Sequence, residues 1–142
     1  MNAELLHCKA QDDFNILIHR DLLCYFSPYY NAYLNGRSLE SGQKQITFDL
    51  SKAQAKMLVS CLYSGRIPRD AGYSDLFDLY LFADVTPMLA LKRSVMSHLH
   101  HRNVERGSRH GIRQDGPELE LIMKVFDVLP KSSGLIRWLA DW

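Results

Sequence analysis

Long apolar runs are missing from this chain. None approaches the roughly 18 consecutive apolar residues that a membrane span requires, so no bilayer-crossing helix is expected. Cysteine is scarce too: Cys8, Cys24 and Cys61 are far apart and odd in number. With no secretory signal at the N-terminus, they read as buried, reduced thiols, and the expected location is cytoplasmic or nuclear. An excess of one charge is also absent. Seventeen basic against sixteen acidic residues leave a net charge of +1, which gives no overall pull toward nucleic acid or an acidic surface. No Gly-rich phosphate loop, nucleophile elbow or Cys-x-x-Cys pair occurs, and no internal repeat is visible.

What is present is a chain of 142 residues, 46% hydrophobic and 23% charged, ordinary values for a globular protein. That length suggests one domain with a short appendage, large enough to need no disulfide or metal staple. Glu4 to Lys9 reads as a first strand, Gln11-Asp12-Asp13 as a turn, and Phe14 to Ile18 as its hairpin partner. Ile16 and Ile18 on one side and Leu17 on the other predict a strand buried on both faces. Leu22, Leu23 and Phe26 then give a short helix its apolar stripe. Ser27-Pro28 restarts the chain, with Ser as N-cap and Pro at the first helical position.

Ile46, Phe48 and Leu50 alternate with polar residues as a half-buried strand, and Ser51-x-x-Gln54 is a capping box. Met57, Leu58, Cys61 and Leu62 line the following helix, and Gly65 stands where a left-handed cap belongs. Ser74 is the expected cap of a nearly all-apolar helix, central to the core. Thr86-Pro87 is the expected start of another helix, running to about His101. Residues 102–116, with Arg106, Arg109 and Arg113, read as a flexible basic linker. Pro117 opens a helix with Leu119, Ile122, Val125, Phe126 and Leu129 as its stripe. Pro130 to Gly134 breaks it, and a last helix ends mid-pattern, as a truncated one does.

Four pieces now stand in order: an apolar strand ending at His19-Arg20-Asp21-Leu22-Leu23, then Ser27-Pro28-Tyr29-Tyr30, then Cys61-Leu62-Tyr63-Ser64-Gly65-Arg66-Ile67-Pro68, then Asp78-Leu79-Tyr80 to Ala83-Asp84. Together they resemble the BTB/POZ family over roughly residues 3 to 101. The tail from Glu120-Leu121-Ile122 to Gly134-Leu135-Ile136-Arg137 resembles the extension of a fungal subgroup. The resemblance implies an α+β fold, a helical cluster flanked by a small sheet of three or more strands over residues 1–101. A linker (102–116) and a C-terminal helical extension (117–142) follow. It also implies a protein-interaction module that self-associates, an adaptor for a cullin ubiquitin ligase, or a transcription regulator. No catalytic activity, metal or cofactor is expected.

Individual residues carry that reading unequally. His19 lacks a nucleophile or ligand at workable spacing and is expected to be hydrogen-bonded where strand passes into helix. Glu4 and Arg20 match the acidic and basic positions of the family's partner pocket, with Glu where the family usually has Asp. His98, His100 and His101 are spaced two and three apart, unlike the i, i+4 histidines of a helical zinc site. The arginines of the linker lack interleaved aromatics, so nucleic acid is not the expected partner. Tyr25, Tyr29, Tyr30 and Tyr33 are four phenols within nine residues, more than one short helix buries, and tyrosine suits interfaces.

Members that bind a cullin show apolar-x-Glu before the third strand. The window here is Ser38-Leu39-Glu40, with Glu40 in place but Ser38 at the apolar position, so an anchor worth about 1–3 kcal/mol is missing. Strand-exchanged dimers of the family carry extra chain before the first strand. Only Met1, Asn2 and Ala3 precede it here, too short at about 3.3 Å per residue, which leaves open a homodimer through the tyrosine helices alone, or a monomer. The expected partner face is therefore Tyr25 to Tyr33 with the loop holding Leu39 and Glu40.

Overall fold

The computed structural model describes residues 4–35, 45–107 and 117–140. Among these residues, three short strands form one mixed sheet in the order β2-β1-β3. β1 (Leu5–Lys9) and β2 (Asn15–His19) pair antiparallel, with Leu6 opposite Ile18 and Cys8 opposite Ile16. β3 (Gln45–Thr47) runs parallel to β1 on its other side, with Cys8 opposite Ile46. The expected hairpin is present. Its turn is a tight one in which Asp12 and Asp13 both have positive φ, a conformation Asp tolerates better than most side chains.

Alternation puts Leu6, Cys8, Ile18 and Ile46 against the core and leaves Leu17 on the outer face at 49% exposure. The expectation that β2 is buried on both faces is corrected: among the described residues, helices cover one side of this sheet only. β3 is shorter than its sequence pattern, yet Phe48 and Leu50 remain buried beyond it. The chain past Thr47 is tied by Phe48 N–H to the Lys9 carbonyl and by Gln11 N–H to the Leu50 carbonyl.

The helices are α1 (Arg20–Phe26), α2 (Pro28–Asn35), α3 (Lys52–Ser64), α4 (Tyr73–Val85), α5 (Leu89–Gly107), α6 (Leu119–Val128) and α7 (Gly134–Ala140). α3 starts on the expected capping box: Ser51 Oγ accepts from Gln54 N–H, and Gln54 Oε1 accepts from Ser51 N–H. It ends at Gly65 with φ +72°, where a Cβ would be strained. Leu76, Phe77, Leu79, Tyr80 and Ala83 are buried, so α4 is the central helix as its composition requires.

Three helix starts fall elsewhere than the sequence suggested. α4 begins at Tyr73 after Gly72, so Ser74 is already inside it. Thr86 ends α4 instead of opening α5: its hydroxyl donates back to the Phe82 carbonyl at 2.7 Å. Pro117 precedes α6, whose N-cap is Glu118. α5 continues six residues past His101 to Gly107, taking in the start of the expected linker; residues 108–116 lie outside the described residues.

α6 and α7 bury Val125, Leu129, Leu135, Ile136 and Trp138 in the same hydrophobic cluster as α4 and α5. The Trp138 ring lies 6.2 Å from both Tyr73 and Phe77, and Tyr80 Oη is hydrogen-bonded to Ser133 Oγ at 2.9 Å. A buried Trp in one continuous core predicts that Trp138→Ala lowers the stability of the whole unit by about 3–5 kcal/mol in a single urea transition. A second, unshifted transition would mean that the tail folds independently.

Candidate functional site

The two tyrosine-bearing helices meet at one buried hydroxyl. Ser27 is fully buried between α1 and α2, and its Oγ donates to the Thr86 carbonyl at 2.7 Å while accepting from Tyr30 N–H at 3.2 Å. The bond to Tyr30 is the expected N-cap of α2. The bond to Thr86 anchors the corner to the α4–α5 turn.

Around that corner the four tyrosines divide. Tyr30 is only 6% exposed, with its ring edge-on to Phe48 at 5.7 Å, so it belongs to the core and not to the partner face proposed for it from sequence. The reason is geometric: it sits at the third position of α2, turned inward toward the sheet. Burial raises its phenol pKa above the ordinary 10.0, and Tyr29 and other neighbours add to the shift. Tyr25 is 80% exposed and Tyr29 47% exposed, one on each side of the Ser27 corner. Tyr33 is half-buried and stacks on Tyr29, with centroids 6.4 Å apart and planes 14° from parallel. Tyr25 meets Phe26 edge-on at 5.2 Å. Both outer rings thus have a ring neighbour that limits their motion while leaving area and a hydroxyl free for contact.

Glu4 and Arg20 do come together, at 3.9 Å, with Arg20 N–H also donating to the Glu4 carbonyl at 2.9 Å. The Arg20 guanidinium donates to the Leu34 carbonyl and to Asn35 Oδ1, so it caps the C-terminal end of α2, where a cation is favoured. Its side chain keeps 11% exposure. The pair fastens the tyrosine helix to the sheet edge. Leu39 and Glu40 lie outside the described residues.

His19 is hydrogen-bonded at the β2–α1 junction as expected, although it is exposed. Tyr63 Oη accepts from its backbone N–H at 2.9 Å and lies 2.6 Å from Nδ1. Nothing in sequence spacing pointed to Tyr63, 44 residues away. Arg102 was missed likewise. It donates to the carbonyls of Arg69 and Ala71, reaches His98 Nε2 at 3.1 Å and lies over the Tyr73 ring, holding the loop before α4.

An open cleft of about 540 Å³ is lined by Gln11, Asp49, Gln54, Asp75, Asp78 and Lys124 among others. Its carboxylates are engaged: Gln54 Nε2 donates to Asp75 and Asp78, Lys124 to Asp78, and Gln11 to Asp49. The cluster works as a polar bridge among α3, α4 and α6.

This geometry defines a class: a small three-stranded sheet clad by helices, an α+β fold. The family model for the BTB/POZ domain matches residues 6–103, and the chain belongs to that family. No curated protein matches the chain. The BTB domain is a protein–protein interaction module, and no helix among the described residues is long and apolar enough to cross a membrane.

Two predictions follow from the chemistry of this region. Ser27→Ala orphans the Tyr30 N–H and the Thr86 carbonyl together, so a loss of about 1–3 kcal/mol is expected in urea unfolding, with Ser27→Thr less severe. The second concerns pH. Burial pushes the Cys8 thiol up to about 12 from its ordinary 9.0, and raises Cys24 and Cys61 as well. Above pH 9 the unfolded thiols lose protons that the folded ones keep, so the unfolded state is favoured. Stability should therefore be full below pH 9 and fall as pH rises from 9 toward 12, and Cys8→Ala should flatten that fall in thermal melts at stepped pH.

Proposed function

We propose that this domain binds protein partners through Tyr25 and Tyr29, with Tyr33 at their rim, and that the same surface pairs two copies of the chain. The carrying observation is that two tyrosines stand exposed on a corner whose other aromatics, Phe26, Tyr30 and Tyr33, are buried or half-buried. Rings with fixed neighbours lose little freedom on docking, which favours their use as anchors. The domain acts as a scaffold or adaptor by bringing partners together, with no chemistry of its own. Its three unpaired cysteines fit a reducing compartment, cytoplasm or nucleus. Within that reading, attachment to a cullin scaffold rests on Glu40. Co-purification with a cullin N-terminal domain, lost in Glu40→Lys, would assign that role.

Light scattering across a concentration series tests self-association. Mass is expected to rise from monomer toward dimer, and Tyr25→Glu with Tyr29→Glu should weaken pairing by about tenfold or more for each anchor removed. A chain that stays monomeric at every accessible concentration removes the self-association reading.

A further inference from the structure

α6 carries more apolar surface than the core uses. At 100° per residue, Leu121, Val125 and Leu129 fall on one narrow wedge, which packs on the cluster with Val125 fully buried. The sequence pattern assigned Leu119, Ile122 and Phe126 to that buried stripe as well, and the structure corrects it. Leu119 is 71% exposed, Met123 58% and Phe126 49%, with Ile122 half-buried beside them. These four residues stand at i, i+3, i+4 and i+7, the spacing by which one helix seats against another.

Among the described residues of α6 and its N-cap, those that rim this stripe have one sign. Glu118 and Glu120 stand exposed at the start of the helix and Asp127 near its end. Lys124, the single cation within α6, is turned away and held at 2.7 Å by Asp78 of α4. Lys131 follows only after Pro130 has ended the helix. Two copies of α6 laid antiparallel would set Glu118 and Glu120 of one against Asp127 of the other, and laid parallel would set Glu120 against Glu120. Both are like-charge contacts that oppose pairing.

We propose that α6 is a docking surface for an amphipathic helix of another protein, one whose apolar stripe is flanked by Lys and Arg. Leu119, Ile122, Met123 and Phe126 supply the apolar contact. Glu118, Glu120 and Asp127 select the basic flanks. This surface is separate from the tyrosine corner, and its occupant is a different molecule.

The test uses the 142-residue chain and two labelled synthetic helices of about 18 residues, each with Leu at i, i+3, i+4 and i+7. One has Lys flanks and the other Glu flanks. In fluorescence anisotropy at about 0.05 M salt the Lys-flanked helix should bind about tenfold tighter or more, and that advantage should shrink at about 0.5 M salt. Met123→Ser with Phe126→Ser should remove binding without lowering the thermal midpoint, because both side chains are exposed. Glu120→Lys with Asp127→Lys should reverse the preference, and Tyr25→Ser should leave it intact. Equal affinity for both peptides, binding of neither, or binding that survives the double serine substitution overturns the proposal. A concentration-dependent dimer dissolved by that same double substitution overturns it too, since the stripe would then face a second copy.

Discussion

A single hydroxyl with no exposure to water sets the geometry of the candidate face. Ser27 ends α1, caps α2 and grips the Thr86 carbonyl 59 residues later. A buried hydroxyl must be satisfied, and one that serves as both donor and acceptor fixes two directions at once. The direction of α2 decides which tyrosines face in and which face out. Tyr30 enters the core and Tyr25 and Tyr29 stay outside because the corner turns at this residue. Arg20 secures the far end of the same helix through the Leu34 carbonyl, so the tyrosine helix is held at both ends.

A second polar bridge joins the family region to the residues beyond it. Gln54 closes the capping box of α3 with one amide atom and reaches Asp75 and Asp78 with the other. Asp78 then meets Lys124 of α6. Three helix segments are thereby registered by a handful of partly exposed bonds, each weak alone, around a core that supplies most of the stability. Ser133 on Tyr80 and the Trp138 ring near Tyr73 and Phe77 add to the docking of α7. The carboxylates that a search for acid–base chemistry would first notice are thus occupied in holding helices together. Among the described residues, phenols stand exposed at one corner and an acid-rimmed apolar stripe on α6.

Much of this was legible in the residues. The capping box at Ser51 and Gln54, the left-handed Gly65 and the Ser27-Pro28 restart are local devices whose geometry follows from a few adjacent side chains, and each stands where the pattern put it. Helix starts fared worse at Ser74, Thr86 and Pro117, because a residue suited to capping is not obliged to cap. Thr86 instead bonds back to Phe82, an option open to any hydroxyl at the end of a helix.

The order of strands and helices, the identity of the central helix and most of the core were fixed by the sequence alone, since apolar period and backbone chemistry are short-range properties. Tertiary structure alone decided which apolar residues stay outside. Leu17 and Phe126 have the same local pattern as buried neighbours, and their exposure depends on whether another element lies across from them. It also decided which distant groups meet: Tyr63 with His19, Arg102 with Ala71, Ser27 with Thr86. Those partners are tens of residues apart, and only the packing of helices on the sheet brings such groups within hydrogen-bond reach.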